Sequence, residues 1–151
     1  MTFEYLIRVD TSAEHVSAFL LDVQAVASCV PGVEAVEPDG AGGYRGRMKV
    51  KVGPVSLTLA GTVVEEARDE AAGTARLRAE AADRRVGGSV RALLELTVIA
   101  VGPAETDVRV VSHAHLLGKL GEFGQPILRR KADQIFAEFS ESLRQRLNAA
   151  R

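Results

Sequence analysis

From Tyr44 to Val52 the chain alternates: Tyr44, Met48, Val50 and Val52 fall on one face, and Arg45, Arg47, Lys49 and Lys51 on the other. A period of two is that of a strand with one buried face, since successive side chains point to opposite sides. Gly53-Pro54 interrupts the run, and Val55, Leu57, Leu59, Gly61 and Val63 resume it, which predicts a hairpin. The same period recurs on Phe3, Tyr5, Ile7 and Val9, from Thr74 to Ala82, and on Val90, Ala92, Leu94, Leu96 and Val98. A last strand, Asp107 to Leu116, carries Val108, Val110, Ser112, Ala114 and Leu116 on one side. Turn-forming stretches at Asp69–Gly73, Arg84–Gly88 and Gly102-Pro103 separate these runs. After the first strand, Thr11 or Ser12 can cap a helix whose apolar stripe is Val16, Phe19 and Leu20. A second short helix, Val23 to Ser28, runs into Pro31-Gly32, where helical geometry is disfavoured.

Near the end the period changes. Leu120, Phe123, Ile127, Leu128, Ala132, Ile135, Phe136, Phe139, Leu143 and Leu147 recur mostly at spacings of three and four, with charged residues between them. Pro126 inside this pattern predicts a kink or a fresh helix start. The order is therefore strand, two helices, a meander of about six strands and a long helix. One antiparallel sheet has an apolar face to cover, and only the last helix is long enough to cover it. The pattern predicts a single α+β domain over residues 1–151. A curved sheet of six or seven strands would wrap around a C-terminal helix including Leu128 to Leu147, two short helices closing one end. This helix-grip shape is one of several α+β options that the pattern alone permits. In it the concave face and the inner face of the helix enclose a cavity.

Composition adds a constraint on that interior. Hydrophobic residues are 46% of the chain but aromatics only 5%, with no Trp, so the interior is built from Val, Leu and Ala and has room to stay partly open. A net charge of −1 argues against a strongly basic nucleic-acid binder. One cysteine excludes an intramolecular disulfide. Neither a secretory leader nor a run of eighteen apolar residues is visible, so the chain reads as cytoplasmic.

Candidate chemistry is sparse. His113 and His115 share a strand face, but zinc takes three or four protein ligands, and the alternation turns both outward. Cys29 has no neighbouring base to activate it and reads as a small buried residue. Asp22, Glu65, Glu66, Asp69 and Asp83 fall at element ends and turns, where capping or solvated roles are usual. No phosphate-binding loop, dinucleotide fingerprint or nucleophile elbow is present. The basic face Arg45, Arg47, Lys49 and Lys51 reads either as a solvated strand face or as a docking surface for anionic lipid or an acidic partner. Gly118, Gly121 and Gly124 around Phe123 mark either a loosely wound helix entry or a section that lies close to another backbone or flexes, with Phe123 as a gate.

Several stretches together resemble the CoxG family, a carbon monoxide dehydrogenase subunit family of the START/SRPBCC helix-grip superfamily. They are Asp22 with Cys29-Val-Pro-Gly32, Tyr44, Lys51-Val-Gly-Pro54 with Gly61, Gly118-Lys-Leu, Phe123-Gly124, and Phe136 with Phe139. The resemblance runs from the first strand to about Leu143. The segment Ala81–Gly88 departs from the glycine-rich stretch of many members, and the membrane-binding tail that some members carry has no counterpart up to Arg151. The resemblance implies a non-catalytic carrier of an apolar, menaquinone-type quinone that serves a molybdenum-containing hydroxylase such as carbon monoxide dehydrogenase. It implies a peripheral link to the inner face of the membrane, with no covalent cofactor and no metal. An anchoring or assembly module, or a polyketide cyclase-like enzyme, are the alternatives. The expected ligand-binding residues are Val30, Pro31, Gly32, Tyr44, Leu59, Leu94, Phe123, Ile127 and Leu128, bordering an elongated apolar cavity that opens near Pro31-Gly32 and Phe123.

Overall fold

The structure, a computed structural model, describes residues 1–149; residues 150 and 151 of the expected domain lie outside the described residues. Strand β1 (Thr2–Val9) is followed by helices α1 (Ala13–Leu20) and α2 (Val23–Ala27). A meander comes next: β2 (Val33–Pro38), β3 (Tyr44–Val52), β4 (Val55–Asp69), β5 (Thr74–Asp83), β6 (Gly88–Gly102) and β7 (Glu105–Gly118). A single 3-10 turn (Leu120–Glu122) leads into α3 (Gln125–Ala149). The Ser12 hydroxyl caps α1 by accepting from the His15 N–H at 3.2 Å, and the Asp22 carboxylate caps α2 through the Ala25 N–H at 3.1 Å. Pro126 stands in the first turn of α3, where its missing N–H has no intrahelical partner to lose, so the helix starts there without a kink.

All seven strands form one antiparallel sheet in the order β1-β7-β6-β5-β4-β3-β2. Every inward set expected from the alternation lies on the concave face. Ile7 pairs with Val108, Val108 with Val98, Ala92 with Ala79, and Met48 with Leu59. At the Gly61–Ala81 pair β4 and β5 approach each other closely. A Cβ built on Gly61 would sit 1.8 Å from the Glu80 carbonyl oxygen and 2.6 Å from the Ala81 Cα, so only a residue without a side chain lets the two strands close there. Curving the sheet brings its two edges to opposite sides of α3, which packs on β1 and on β3.

Along β1 the helix is pinned by specific contacts. The Tyr5 ring stacks on Phe136 with centroids 3.9 Å apart, and its hydroxyl donates to Asp133 Oδ1 at 2.8 Å. Burial first, and then the Asp133 carboxylate, push the Tyr5 phenol well above its ordinary pKa, so it remains a donor. Further along, Arg144 Nε donates to the Arg8 carbonyl at 3.0 Å.

The apolar interior divides into two clusters. At the α1 end, Ile7, Val9, Val16, Val108, Val110, Leu143 and Leu147 are buried together, with Phe136, Phe139, Leu94, Leu96 and Val98 against them. At the other end Val52, Leu57 and Leu120 are buried, with Leu59, Leu116 and Phe123 packed on them. Between the two, the concave residues Tyr44, Met48, Val63, Leu77 and Ala79 are only half-buried. The middle of the grip therefore keeps accessible apolar surface.

Candidate ligand cleft

A cleft of about 550 Å³ lies at the α1 end, between that helix, the β4–β5 turn and β6. Its walls include Leu20 of α1 and Leu21 just after it, Ala71 and Ala72 of the turn, and Leu96 and Val98 of β6. Leu96 and Val98 are concave-face residues packed on the α1-end cluster, so the cleft leads onto the inner surface of the sheet. That volume is in the range of small-molecule sites, and the lining combines aliphatic side chains with the charged residues Glu14, Arg68, Asp69 and Glu70. Leu21 is 49% exposed at the rim, an apolar side chain with no packing partner on its solvent side.

Arg68 of β4 lines this cleft and is paired with Glu65. Residues three apart on a regular strand face opposite ways, yet Glu65 and Arg68 of β4 lie together. The cause is a bulge between Glu65 and Ala67: Glu65 pairs with Leu77, Ala67 with Arg76, and Arg68 with Ala75. The extra residue, Glu66, faces outward and pairs with Arg78 on the convex surface. Arg68 Nε donates to Glu65 Oε1 at 2.8 Å and Nη2 donates to Oε2, a bidentate fork. The guanidinium holds the Glu65 carboxyl below the usual carboxylate range, and the Arg68 pKa is raised in return.

The expected ligand-binding residues are not gathered around one opening. Pro31 and Gly32 line a crevice of about 90 Å³ with Met48, Val50 and Ile135, between β3 and α3. Leu59 and Phe123 pack in the second cluster, Leu94 against the first, and Tyr44 lies half-buried on β3 beside Val63. Val30 and Leu128 are half-buried, while Ile127 is 42% exposed. Gly118 serves close approach: its φ is +63°, and a Cβ there would lie 2.0 Å from the Gly87 carbonyl oxygen. Phe123 is held by the cluster this approach creates, away from the large cleft. Sequence reasoning missed Arg68, because strict alternation assigns it the wrong face, and missed the cleft wall, which is made of alanines and turn residues.

The remaining candidates take structural positions. His113 and His115 lie on the convex side; His113 Nε2 is 3.1 Å from Glu95 Oε1, and Nδ1 is 3.3 Å from the Thr2 hydroxyl. Cys29 is buried at the end of α2, and burial pushes its thiol pKa up, away from a reactive thiolate. Asp83 is buried and accepts from the Thr58 and Val86 N–H groups, which anchors the β5–β6 turn. On the convex face of β3 the basic stripe is answered across the strand pair. Arg45 meets Glu37 at 3.3 Å, and Arg47 and Lys49 both meet Glu34, at 3.2 and 3.6 Å. These are exposed pairs, each contributing about 0–1 kcal/mol to stability. Two carboxylates thus answer three of the stripe's four cations and offset about half of its charge. No helix among the described residues is long and apolar enough to cross a membrane.

Solved structures share this architecture. A conserved protein from Geobacillus kaustophilus superposes with a TM-score of 0.90 at 16% identity, covering 99% of this chain and 97% of that one. An aromatase/cyclase from Streptomyces sp. R1128 gives 0.70 at 16% identity, covering 98% and 93%. A START superfamily protein from Mycobacterium smegmatis gives 0.69 at 12%, covering 99% of each chain. At such identities the likeness is one of fold. No curated protein matches the chain in sequence. The sequence profile of CoxG, a subunit of carbon monoxide dehydrogenase, matches residues 6–148. With a sheet that grips its last helix in the START/SRPBCC manner, the chain belongs to the CoxG family of carbon monoxide dehydrogenase subunits.

Proposed function

We propose that this protein is a non-catalytic carrier of an apolar ligand of the menaquinone type. It would serve a molybdenum-containing hydroxylase such as carbon monoxide dehydrogenase and link that enzyme to the quinone of the membrane. The observation that supports this most is the aliphatic cleft of about 550 Å³ opening onto a concave face whose centre is only half-buried. Burying about 400 Å² of isoprenoid surface at ~25 cal/mol/Å² offers roughly 10 kcal/mol gross. Ordering and association costs reduce this to about micromolar affinity, which suits a shuttle that must release its cargo.

A catalytic reading has one observation in its favour, the fold shared with an aromatase/cyclase. It requires a proton-transfer group facing the ligand. The inward carboxylate of β4, Glu65, is tied to Arg68 and has a lowered pKa, which makes it a weak base. The carrier reading is tested by extracting lipid from protein purified from its own host, identifying it by mass spectrometry, and titrating the stripped protein with menaquinone. Recovery of an isoprenoid quinone and a saturable micromolar signal are expected. Absence of both would refute it.

A further inference from the structure

We propose that Arg68 is the residue that reads the head of the bound ligand, and that it selects a neutral carbonyl oxygen over a carboxylate. The inference rests on the carrier reading of the cleft and adds to it a specificity determinant and a ligand polarity. Three observations carry it. Arg68 lines the cleft, and its side chain is 24% exposed, whereas arginines on the convex strands such as Arg45 and Arg91 are exposed by 61% and 68%. Its inward position depends on the β4 bulge, a local irregularity of the kind that re-aims a side chain beside a site. Its Nε and Nη2 are occupied by Glu65, while among the described residues no group accepts from Nη1. The guanidinium is thus fixed in orientation and still has donors for a ligand.

The electrostatics then decide what those donors accept. Arg68 and Glu65 together carry no net charge, and the other charged residues lining the cleft, Glu14, Asp69 and Glu70, are all acidic. An anionic head would meet a neutralised arginine in a cleft that three further carboxylates line, and would lose its hydration on entry. A quinone carbonyl is a neutral acceptor with no donor of its own, and it loses far less. The aliphatic lining takes the isoprenoid tail, while Arg68 holds the ring at the cleft and sets which end of the ligand faces the mouth.

The test titrates stripped protein with three probes sharing one isoprenoid tail: a menaquinone, the corresponding hydrocarbon without a head, and the corresponding carboxylic acid. Arg68→Gln should weaken menaquinone binding by about tenfold or more, as loss of a hydrogen bond from a charged donor does, and change hydrocarbon binding less than about twofold. Glu65→Gln, which leaves the guanidinium unneutralised, should bring the carboxylic acid closer to the quinone in affinity. Thermal melts of both variants identify any loss of folded protein, and Arg68→Lys keeps the charge while removing the fork. Equal weakening of quinone and hydrocarbon, or of neither, overturns the role of Arg68 and leaves the carrier standing. Wild-type protein that binds none of the three probes overturns the carrier reading, and this inference with it.

Discussion

Replacing Gly61 with alanine tests whether the sheet depends on the close approach of β4 and β5. The added Cβ would be 1.8 Å from the Glu80 carbonyl oxygen, 2.7 Å from its carbon and 2.6 Å from the Ala81 Cα. All three are backbone atoms, so no side-chain rotation relieves the contact. Ordinary contact begins near 3.4 Å, so β4 and β5 would have to separate by more than an ångström at the Gly61–Ala81 pair. Overpacking of this kind costs about 1–3 kcal/mol. Stretching the neighbouring ladder hydrogen bonds adds about 1 kcal/mol for each one lost. A total near 3 kcal/mol corresponds to a fall in Tm of roughly 6–12 °C for a domain of this size. Circular dichroism melts and urea titrations would measure it. Gly102→Ala serves as the control, because nothing lies within 4 Å of a Cβ there and its backbone is not left-handed; it should melt within about 2 °C of wild type. Equal melting of the Gly61 and Gly102 variants would refute the requirement for a residue without a side chain at the Gly61–Ala81 pair.

Two further outcomes follow from the packing and the charges. Phe139→Asp places a carboxylate against the buried cluster of Ile7, Val108 and Leu143, and the unpaired charge should cost several kcal/mol; cooperative melting at the wild-type Tm would show that α3 is not the core helix. Asp83 has its pKa lowered, first by the Thr58 N–H and then by the Val86 N–H, so its contribution is fully present above the unfolded pKa of about 4 and lost as pH falls through the folded value. Urea midpoints taken from about pH 7 to pH 3 should therefore fall less steeply for Asp83→Asn than for wild type, and parallel curves would remove Asp83 from the acid transition.

Much of the fold was legible because a half-buried strand writes its buried face into every second residue. The concave sets of β1, β3, β6 and β7 read directly from the alternation, as did the long helix from its spacing of three and four. The outward placement of His113 and His115 followed from the same parity. The site was less legible, for two physical reasons. Periodicity tells which way a side chain points, but not where along the strand neighbouring elements fail to fill the space. Leu59 and Phe123 point inward as expected, yet they are packed, and the open volume lies beside Leu96 and Val98 instead. A bulge also inverts parity without any signal in composition, so Arg68 could be placed only once the register of β4 against β5 was known.

The pairing of the first strand with the last has a consequence for the life of the chain on the ribosome. Strands β2 to β7 each pair with their neighbour in sequence and can zip together as they emerge. Strand β1 cannot, since its partner β7 lies far downstream; Tyr5 waits for Val110, and the Met1 amino group for the Ala114 carbonyl, 113 residues later. At synthesis rates of about 5–20 residues per second, that interval is roughly 5–20 s. For that time β1 is an unpaired edge carrying Phe3, Tyr5, Ile7 and Val9 on one side, the kind of segment that recruits other chains. Its opposite side carries Glu4 and Arg8, which later pair with Arg109 and Asp107. Before β7 exists those same charges act as gatekeepers against edge-to-edge association. Substitutions that neutralise Glu4 and Arg8 should therefore lower the yield of soluble protein during rapid expression more than they lower the stability of the folded domain.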